Sequence, residues 1–387
     1  MSLPTATTLP RVTILTANAG GGHRTAAQSL AEALEGQARV SFLNLMDEHA
    51  PFPINAWSDM YGPWVTYAPH SYHLLYRLAH NRARVIRVAR LLFPYVKAAI
   101  TPPLLQQEAD LFISVHPLQT DVPLWILRSA GRRAPFVTVV TDPVTPPPAW
   151  FCPDVDLCVV ATEQARSVAL ASGLAPHKVQ VIGLPIRRSF TEALKLSRGE
   201  ARARVGLTAD RPCLLVTGGG AGIGRLMVIA RALARRLAGH PVPPHLVIIA
   251  GRNRALARRL RAERWPLPVQ VLEFVNNMAE WMAAADLLVS KAGPGTLAEA
   301  ACLGLPILIS GFIPGQETGN VEWFRQAGAA IYEPNPERLA HLADELLRPG
   351  NPLLAQMAAR SCSLGRPHAA GEIAQAALRL IAVPEPV

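Results

Sequence analysis

"RVTILTANAGGGHRTAAQSLAEAL", residues 11–34, opens on a β-branched and aliphatic run, passes three glycines and a histidine, and continues as an alanine-rich stretch with helical spacing. A strand that hands over to a helix through glycines is the repeating unit of a parallel sheet covered on both faces. The same alternation recurs along the chain. "ADLFISVHP", "PFVTVVTD", "DLCVVAT" and "VQVIG" follow in the first half, and "CLLVTGG", "HLVIIAG", "VQVLEFV", "DLLVSKAG" and "PILIS" in the second. The pattern restarts near residue 212, after the polar, basic stretch "GLPIRRSFTEALKLSRGEARARVGLTADRP" (183–212), which offers a hinge at Gly183–Pro185. The predicted class is therefore α/β, with two doubly wound Rossmann-like domains facing a cleft where strand ends and helix N-termini collect ligands. The domains are expected over residues 1–185 and 186–367.

The chain has 387 residues, half of them hydrophobic, enough for two domains with cores of their own. Lys and Arg outnumber Asp and Glu by 38 to 28, and a net charge of +10 suits an anionic partner without choosing among nucleic acid, lipid or a phosphorylated small molecule. Five cysteines without a CxxC pair point to free, buried thiols in a reducing compartment. The start "MSLPTATTLPRVTIL" lacks a basic and then apolar leader, and no apolar run reaches spanning length, so neither secretion nor a membrane span is expected.

Three strand-to-helix turns carry glycines: Gly20–Gly22, Gly218–Gly224 in "TGGGAGIG", and Gly293–Gly295 in "KAGPGTLAEA". Such turns let backbone N–H groups approach an anion at the positive end of a helix, or simply pack tightly. None closes with the Gly-Lys-Ser/Thr of a nucleoside triphosphatase loop. In the third, Lys291 offers a point charge, and Gly293, Gly295 and Thr296 offer N–H groups to a diphosphate. Glu299, three residues past Thr296, is placed either for the vicinal hydroxyls of a ribose or as the far member of a capping box. Gln316, Glu317 and Asn320 gather in "GFIPGQETGNVEW", where polar side chains suit a sugar.

Several long strings together resemble one family: "TDPVTPPPAWF" (141–151), "SVHPLQTDVPL" (114–124), "GLPIR" (183–187), "GRN" (251–253) and "SKAGPGTLAEAACLGLPILISGFIPGQETGNV" (290–321). They look like the monogalactosyldiacylglycerol synthases and the bacterial diacylglycerol glucosyltransferases of glycosyltransferase family 28, in the same order over nearly the whole chain. The resemblance implies a GT-B fold. It also implies an inverting enzyme that moves a hexose, galactose ahead of glucose, from a UDP-sugar to 1,2-diacylglycerol at a membrane surface. It implies that Gly219 and Gly220 approach the nucleotide-sugar, Phe274 and Val275 border the uracil, and Gly293, Pro294, Gly295 and Thr296 bind the diphosphate. Glu299 would hold the ribose, and Gln316, Glu317 and Asn320 the transferred sugar. The first domain would take the acceptor, and the last helix, about 368–387, would pack back on it. Asn18 stands where the plant-type synthases carry an aspartate, though the bacterial glucosyltransferases share its "TAN", and Ala221 and Glu273 depart from residues usual in the family.

Inverting transfer needs a base for the acceptor hydroxyl. His23, at a helix N-terminus that disfavours its imidazolium, suits that task, or else caps the helix. His116 in "SVHP" is the second candidate. Asp142 in "VTDP" is the third; it could orient His23 or the acceptor, or cap a turn. "DVD" at 154–156 fits a metal-binding DxD by letters but lies away from the expected donor site, so no metal or other cofactor is invoked and the UDP-sugar is a substrate.

Between Asp59 and Glu108 no acidic residue occurs, while Arg77, Arg82, Arg84, Arg87, Arg90 and Lys97 interleave with apolar residues after Trp57, Tyr61, Trp64 and Tyr67. Such a segment suits anionic membrane lipids or an ordinary helix with a solvated basic face. No nucleic-acid motif accompanies the charges. Gly21, Gly22, Trp64, Arg77, Arg84 and Arg87 are the expected acceptor or membrane contacts, on a cytoplasmic protein peripheral to the inner face of the cell membrane. Two alternatives stand: a non-catalytic UDP-sugar and membrane sensor, and a transferase of N-acetylglucosamine to another lipid.

Overall fold

The computed structural model describes residues 9–18, 21–220, 222 and 225–382. Gly20, Ala221 and Gly224, singled out above, lie outside the described residues. The chain divides into two compact units. One holds Met1–Gly62, Leu74–Arg187 and His368–Val387, so far as they are described; the other holds Pro63–His73 and Arg188–Pro367. Residues 63–73, placed with the first domain by the sequence reading, thus group with the second.

The first unit is built on a parallel sheet of six strands: β1 (Arg11–Leu15), β2 (Arg39–Leu43), β3 (Leu111–Ser114), β4 (Phe136–Val139), β5 (Leu157–Val160) and β6 (Val179–Val181), in the order β2-β1-β3-β4-β5-β6. β3, β4 and β5 are buried along their full length, which explains why they read as unbroken apolar runs. One face packs on helix α1 (Gly22–Leu34) and on the C-terminal helix Ala369–Ala382. There Ala27, Leu30 and Leu34 meet Ile14, Ile113, Ile373 and Ala377. The other face buries Phe112, Phe136, Trp150 and Phe151 against Val96, Ile100 and Leu104. These three residues lie on α4 (Arg82–Leu105), which follows α2 (Trp57–Tyr67) and α3 (Pro69–Ala79).

The second unit has its own six parallel strands: β7 (Cys213–Thr217), β8 (His245–Ile249), β9 (Val269–Leu272), β10 (Leu287–Lys291), β11 (Ile307–Gly311) and β12 (Ala330–Tyr332). Their order, β12-β11-β10-β7-β8-β9, is that of a dinucleotide-binding sheet. Leu233 and Leu237 of the helix Leu226–Leu237 and Leu339 of the helix Pro336–Leu346 cover it.

Two strands escaped the sequence reading. β2 is an edge strand with only Leu43 buried, and β12 is an edge strand of three residues, so neither carries a long apolar run. In both sheets the chain leaves a central strand toward one edge and later returns to its other side. At such a switch the loops after the two adjacent strands diverge and leave room for a ligand. In the first sheet these are the loops after β1 and β3, and in the second the loops after β7 and β10.

Candidate functional site

In the first unit, the loop after β1 ends at Gly21, whose φ of 79° caps α1, and His23 is the second residue of that helix. The loop after β3 brings Val115 and His116 beside it. His23 Nδ1 lies 2.8 Å from the Val115 carbonyl oxygen and 3.0 Å from Thr141 Oγ1. A carbonyl oxygen can only accept, so Nδ1 carries the proton and the lone pair of the ring sits on Nε2. The His116 ring meets the His23 ring edge-on at 4.6 Å, and Trp150 lies at 5.9 Å.

Burial in this dense neighbourhood pushes His23 down to about 4, the bond to Val115 offsetting only part of the effect. His116 is also held well below the usual imidazole range, by burial first and then by any charge on His23. Two neutral rings therefore face each other at neutral pH. His116 accepts from the Leu118 backbone N–H at 3.3 Å through Nδ1. Asp142 is buried and accepts from the Trp150 indole at 2.7 Å. Val115 and Thr141 both bond the Nδ1 of His23. Thr141 adjoins Asp142 in the quoted "TDP" string. Asp47 accepts from the Asn18 backbone N–H at 2.8 Å and from the side chains of Asn44 and Ser58.

In the second unit, the glycine loops after β7 and β10 converge on Lys291. A side chain placed on Gly219 would come within 3.9 Å of Lys291 Cε, and one on Gly293 within 2.9 Å of its Nζ. Gly251 is required by the fold of this corner: its φ is +60°, and a Cβ would lie 2.6 Å from the Gly220 carbonyl. Beside it, Arg252 donates its backbone N–H to that carbonyl and lays its guanidinium 4.6 Å from the ring centroid of the half-exposed Phe274. Glu273, a departure noted above, pairs with Arg261 at 2.9 Å and with Arg254 at 3.7 Å. Val275 is half-buried.

The helix Pro294–Cys302 has Gly293 as its N-cap, with Pro294 at the first position and no side chain bonded to the cap. Its first-turn N–H groups, Gly295 and Thr296 among them, lie at the positive end of the dipole, where an anion is favoured. Because the cap is Gly293, Thr296 lies inside the helix, and Thr296 with Glu299 form no capping box. Glu299 is buried.

Glu317 is buried with both oxygens engaged: Oε1 takes Lys291 Nζ at 2.5 Å and Oε2 the Ile313 N–H at 2.8 Å. Asn320 donates to the Ala292 carbonyl at 3.0 Å, steadying the turn that enters the helix. Gln316, half-buried, accepts the Tyr72 hydroxyl at 2.7 Å. Nothing in the sequence pointed to Tyr72.

The basic segment forms α2, α3 and α4. Within the first unit, Leu74, Leu78, Val88, Leu91, Leu92 and Tyr95 are exposed beside Arg77, Arg84, Arg87 and Arg90. Arg82, Ala83, Ile86, Arg87 and Arg90 line an open groove of about 550 Å³. Arg82 itself is committed to Asp121 at 2.9 Å. Trp64 packs edge-on against Tyr72 and donates to Ser71 at 2.7 Å. Among the described residues no helix is long and apolar enough to cross a membrane.

The family model described as "Monogalactosyldiacylglycerol (MGDG) synthase" matches residues 23–186, and that of the glycosyltransferase family 28 C-terminal domain matches residues 213–376. The probable monogalactosyldiacylglycerol synthase 3, chloroplastic, of Oryza sativa subsp. japonica is 35% identical over 94% of this chain and 73% of its own. The chloroplastic monogalactosyldiacylglycerol synthase of Spinacia oleracea is likewise 35% identical, over 94% of this chain and 71% of its own. Among solved structures, Acinetobacter baumannii MurG is similar with a TM-score of 0.63 at 17% identity, over 96% of this chain and 100% of that one. The fold is GT-B. The expected location, cytoplasmic and peripheral on the inner face of the cell membrane, does not stand, because these plant relatives are described as chloroplastic. With both halves matched and about a third of its residues shared over most of its length, the chain belongs to the monogalactosyldiacylglycerol synthase family.

Proposed function

We infer that this protein transfers galactose from UDP-galactose to the free hydroxyl of 1,2-diacylglycerol, inverting the anomeric carbon to give a β-monogalactosyl diacylglycerol. One observation carries the chemistry: in a chain of this family, the neutral ring of His23 is tied through Nδ1 to the Val115 carbonyl, which leaves the lone pair on Nε2. In the proposed step the acceptor oxygen attacks the anomeric carbon and its proton passes to Nε2. The bond from that carbon to the diphosphate oxygen breaks, and UDP leaves with the electron pair.

Lys291 and the first-turn N–H groups of the helix Pro294–Cys302 take up charge on the leaving diphosphate, and these fixed dipoles serve without a metal ion. Gly219 and Gly220 admit the nucleotide closely, Phe274 and Val275 border the base, and Glu299 holds the ribose. Gln316 and Asn320 face the hexose, while Glu317, whose oxygens are engaged, supports Lys291. The exposed apolar and basic side chains of α3 and α4 bring the protein to anionic lipid, from which Gly21 and Gly22 admit the acceptor.

The test is an assay of purified protein with diacylglycerol liposomes and labelled UDP-galactose or UDP-glucose, with and without a chelator. Galactolipid formed equally in the presence of chelator is the expected result. Absence of any glycolipid from a protein that still binds UDP overturns the reading.

A further inference from the structure

In the string "GRN" (251–253) two of the three residues serve the fold. Gly251 makes the turn after β8, and Asn253 caps the helix Arg254–Arg261 by accepting the Leu256 N–H at 3.0 Å. The side chain of Arg252 does neither. It is exposed, and its guanidinium lies 4.6 Å from the centroid of the Phe274 ring, itself 47% exposed. The carboxylate of Glu273, next to Phe274 in the chain, is engaged by Arg254 and Arg261. Among the described residues the Arg252 guanidinium has this aromatic contact and no hydrogen-bond or ion-pair partner.

The order of the strands separates two ends of this site. In the run β10-β7-β8-β9 neighbouring strands lie about 5 Å apart, so the loops after β10 and β8 stand on opposite sides of the loop after β7. A side chain on Gly219 would come within 3.9 Å of Lys291 Cε, and one on Gly220 within 3.7 Å of Arg252 Nη1. Two cations therefore flank two successive glycines. The lysine stands on the side of the helix Pro294–Cys302, which takes the diphosphate in the reading above, and the arginine on the side of Phe274, which borders the base.

A guanidinium only donates hydrogen bonds. Uracil presents a carbonyl oxygen, O4, where cytosine carries an amino group. An arginine at that edge gains a charge-assisted bond from uracil, whereas with cytosine it sets N–H groups against N–H groups. The ring beneath the guanidinium holds it without consuming a donor. We propose that Arg252 is a specificity-determining residue for the nucleotide, held on Phe274 so that its guanidinium donates to uracil O4 and turns cytidine nucleotides away. The proposal rests on the reading above that Phe274 borders the base.

The experiment measures by calorimetry, without lipid, the affinities of the full-length protein for UDP, CDP, UMP and CMP. It compares the parent with Arg252→Met and Phe274→Ala, and melting temperatures check that each variant is folded. Methionine keeps an apolar stem on Phe274 and removes every donor. The parent is expected to prefer UDP to CDP. Arg252→Met is expected to lower that ratio by about tenfold or more, the size of a hydrogen bond to a charged group, with the UMP-to-CMP ratio falling alike.

If Arg252→Met weakens UDP and CDP equally, the guanidinium meets phosphate or ribose and the proposal fails. It fails also if the parent binds the two alike, or if Arg252→Met leaves the ratio unchanged while Phe274→Ala weakens UDP, in which case the base-site reading stands. If Phe274→Ala leaves every affinity unchanged, the base-site reading fails and takes the proposal with it. A folded parent that binds none of the four overturns the transferase reading itself.

Discussion

His23 gives its Nδ1 proton to the carbonyl of Val115 across 2.8 Å, so a backbone group from the end of β3 decides which nitrogen of the ring is basic. An imidazole of ordinary pKa near 6.5 would lose half its basic form at that pH. His23, pushed down to about 4, keeps its lone pair well below it. The expected kcat/KM profile is flat from neutral pH to about 5 and falls toward pH 4. A midpoint near 6.5 that disappears in His23→Gln would show the ring to be ordinary. His23→Ala is expected to cut turnover by about a hundredfold or more, with UDP affinity unchanged.

The same shift has a consequence for stability. The folded-state value lies below the unfolded one, so the unfolded chain binds the proton first. Stability therefore falls as pH drops from about 6.5 toward 4, and His116 moves it in the same direction. Melting temperature measured against pH should decline through that window, and His23→Gln should make the decline shallower.

What the sequence could reveal divides along physical lines. Buried central strands such as β3, β4 and β7 announce themselves as apolar runs, and glycine turns mark where helices begin, so the two sheets and both switch-point loops were readable. The edge strands β2 and β12 were not, because a half-solvated edge needs no apolar run. His23, Lys291 and Glu299 could be singled out because glycines flank them. Thr141, Arg252 and Tyr72 could not, because their part depends on contacts 118, 32 and 244 residues away in the chain or in the neighbouring loop. Contacts of that span are made by topology and leave no local pattern.

Lys291 and Glu317 form a pair whose carboxylate is buried and whose ammonium is about one-fifth exposed. Removing one partner of such a pair leaves the other uncompensated, at a cost of about 3 kcal/mol or more. Lys291→Met is expected to lower both the melting temperature and UDP affinity. The double variant Lys291→Met/Glu317→Gln removes both charges and should recover most of the stability without recovering UDP binding. Recovery of both would mean that the lysine never meets the diphosphate.

Gly295 separates the demands of fold and ligand. It sits in the first turn of the helix Pro294–Cys302 with an ordinary negative φ, and a Cβ added there meets nothing within 4 Å. Alanine is the better helix former, so Gly295→Ala should keep or raise stability by up to about 1 kcal/mol. If the diphosphate lies against that turn, the methyl group occupies its approach, and UDP affinity should fall by about tenfold. Unchanged affinity would place the nucleotide elsewhere. Gly251→Ala makes the contrast, because its φ of +60° and its clash with the Gly220 carbonyl predict lost stability before any ligand is added.

The arginines of α4 fall into two groups with opposite expectations. Arg82 is bonded to Asp121, a carboxylate only 9% exposed, and to the Pro148 carbonyl, so Arg82→Ala strands a nearly buried charge and should lower the melting temperature. Arg84 and Arg87 are exposed beside Val88 and Leu91, and their removal should leave the fold intact. If this face meets anionic lipid at about 1 kcal/mol per charge, Arg84→Ala/Arg87→Ala should weaken binding to phosphatidylglycerol vesicles by about thirtyfold. Binding to neutral vesicles, driven by the exposed Leu91, Leu92 and Tyr95, should be little affected, and raised salt should remove the difference between parent and variant. Equal loss on both kinds of vesicle would show that the arginines act through the helix packing and not through lipid charge.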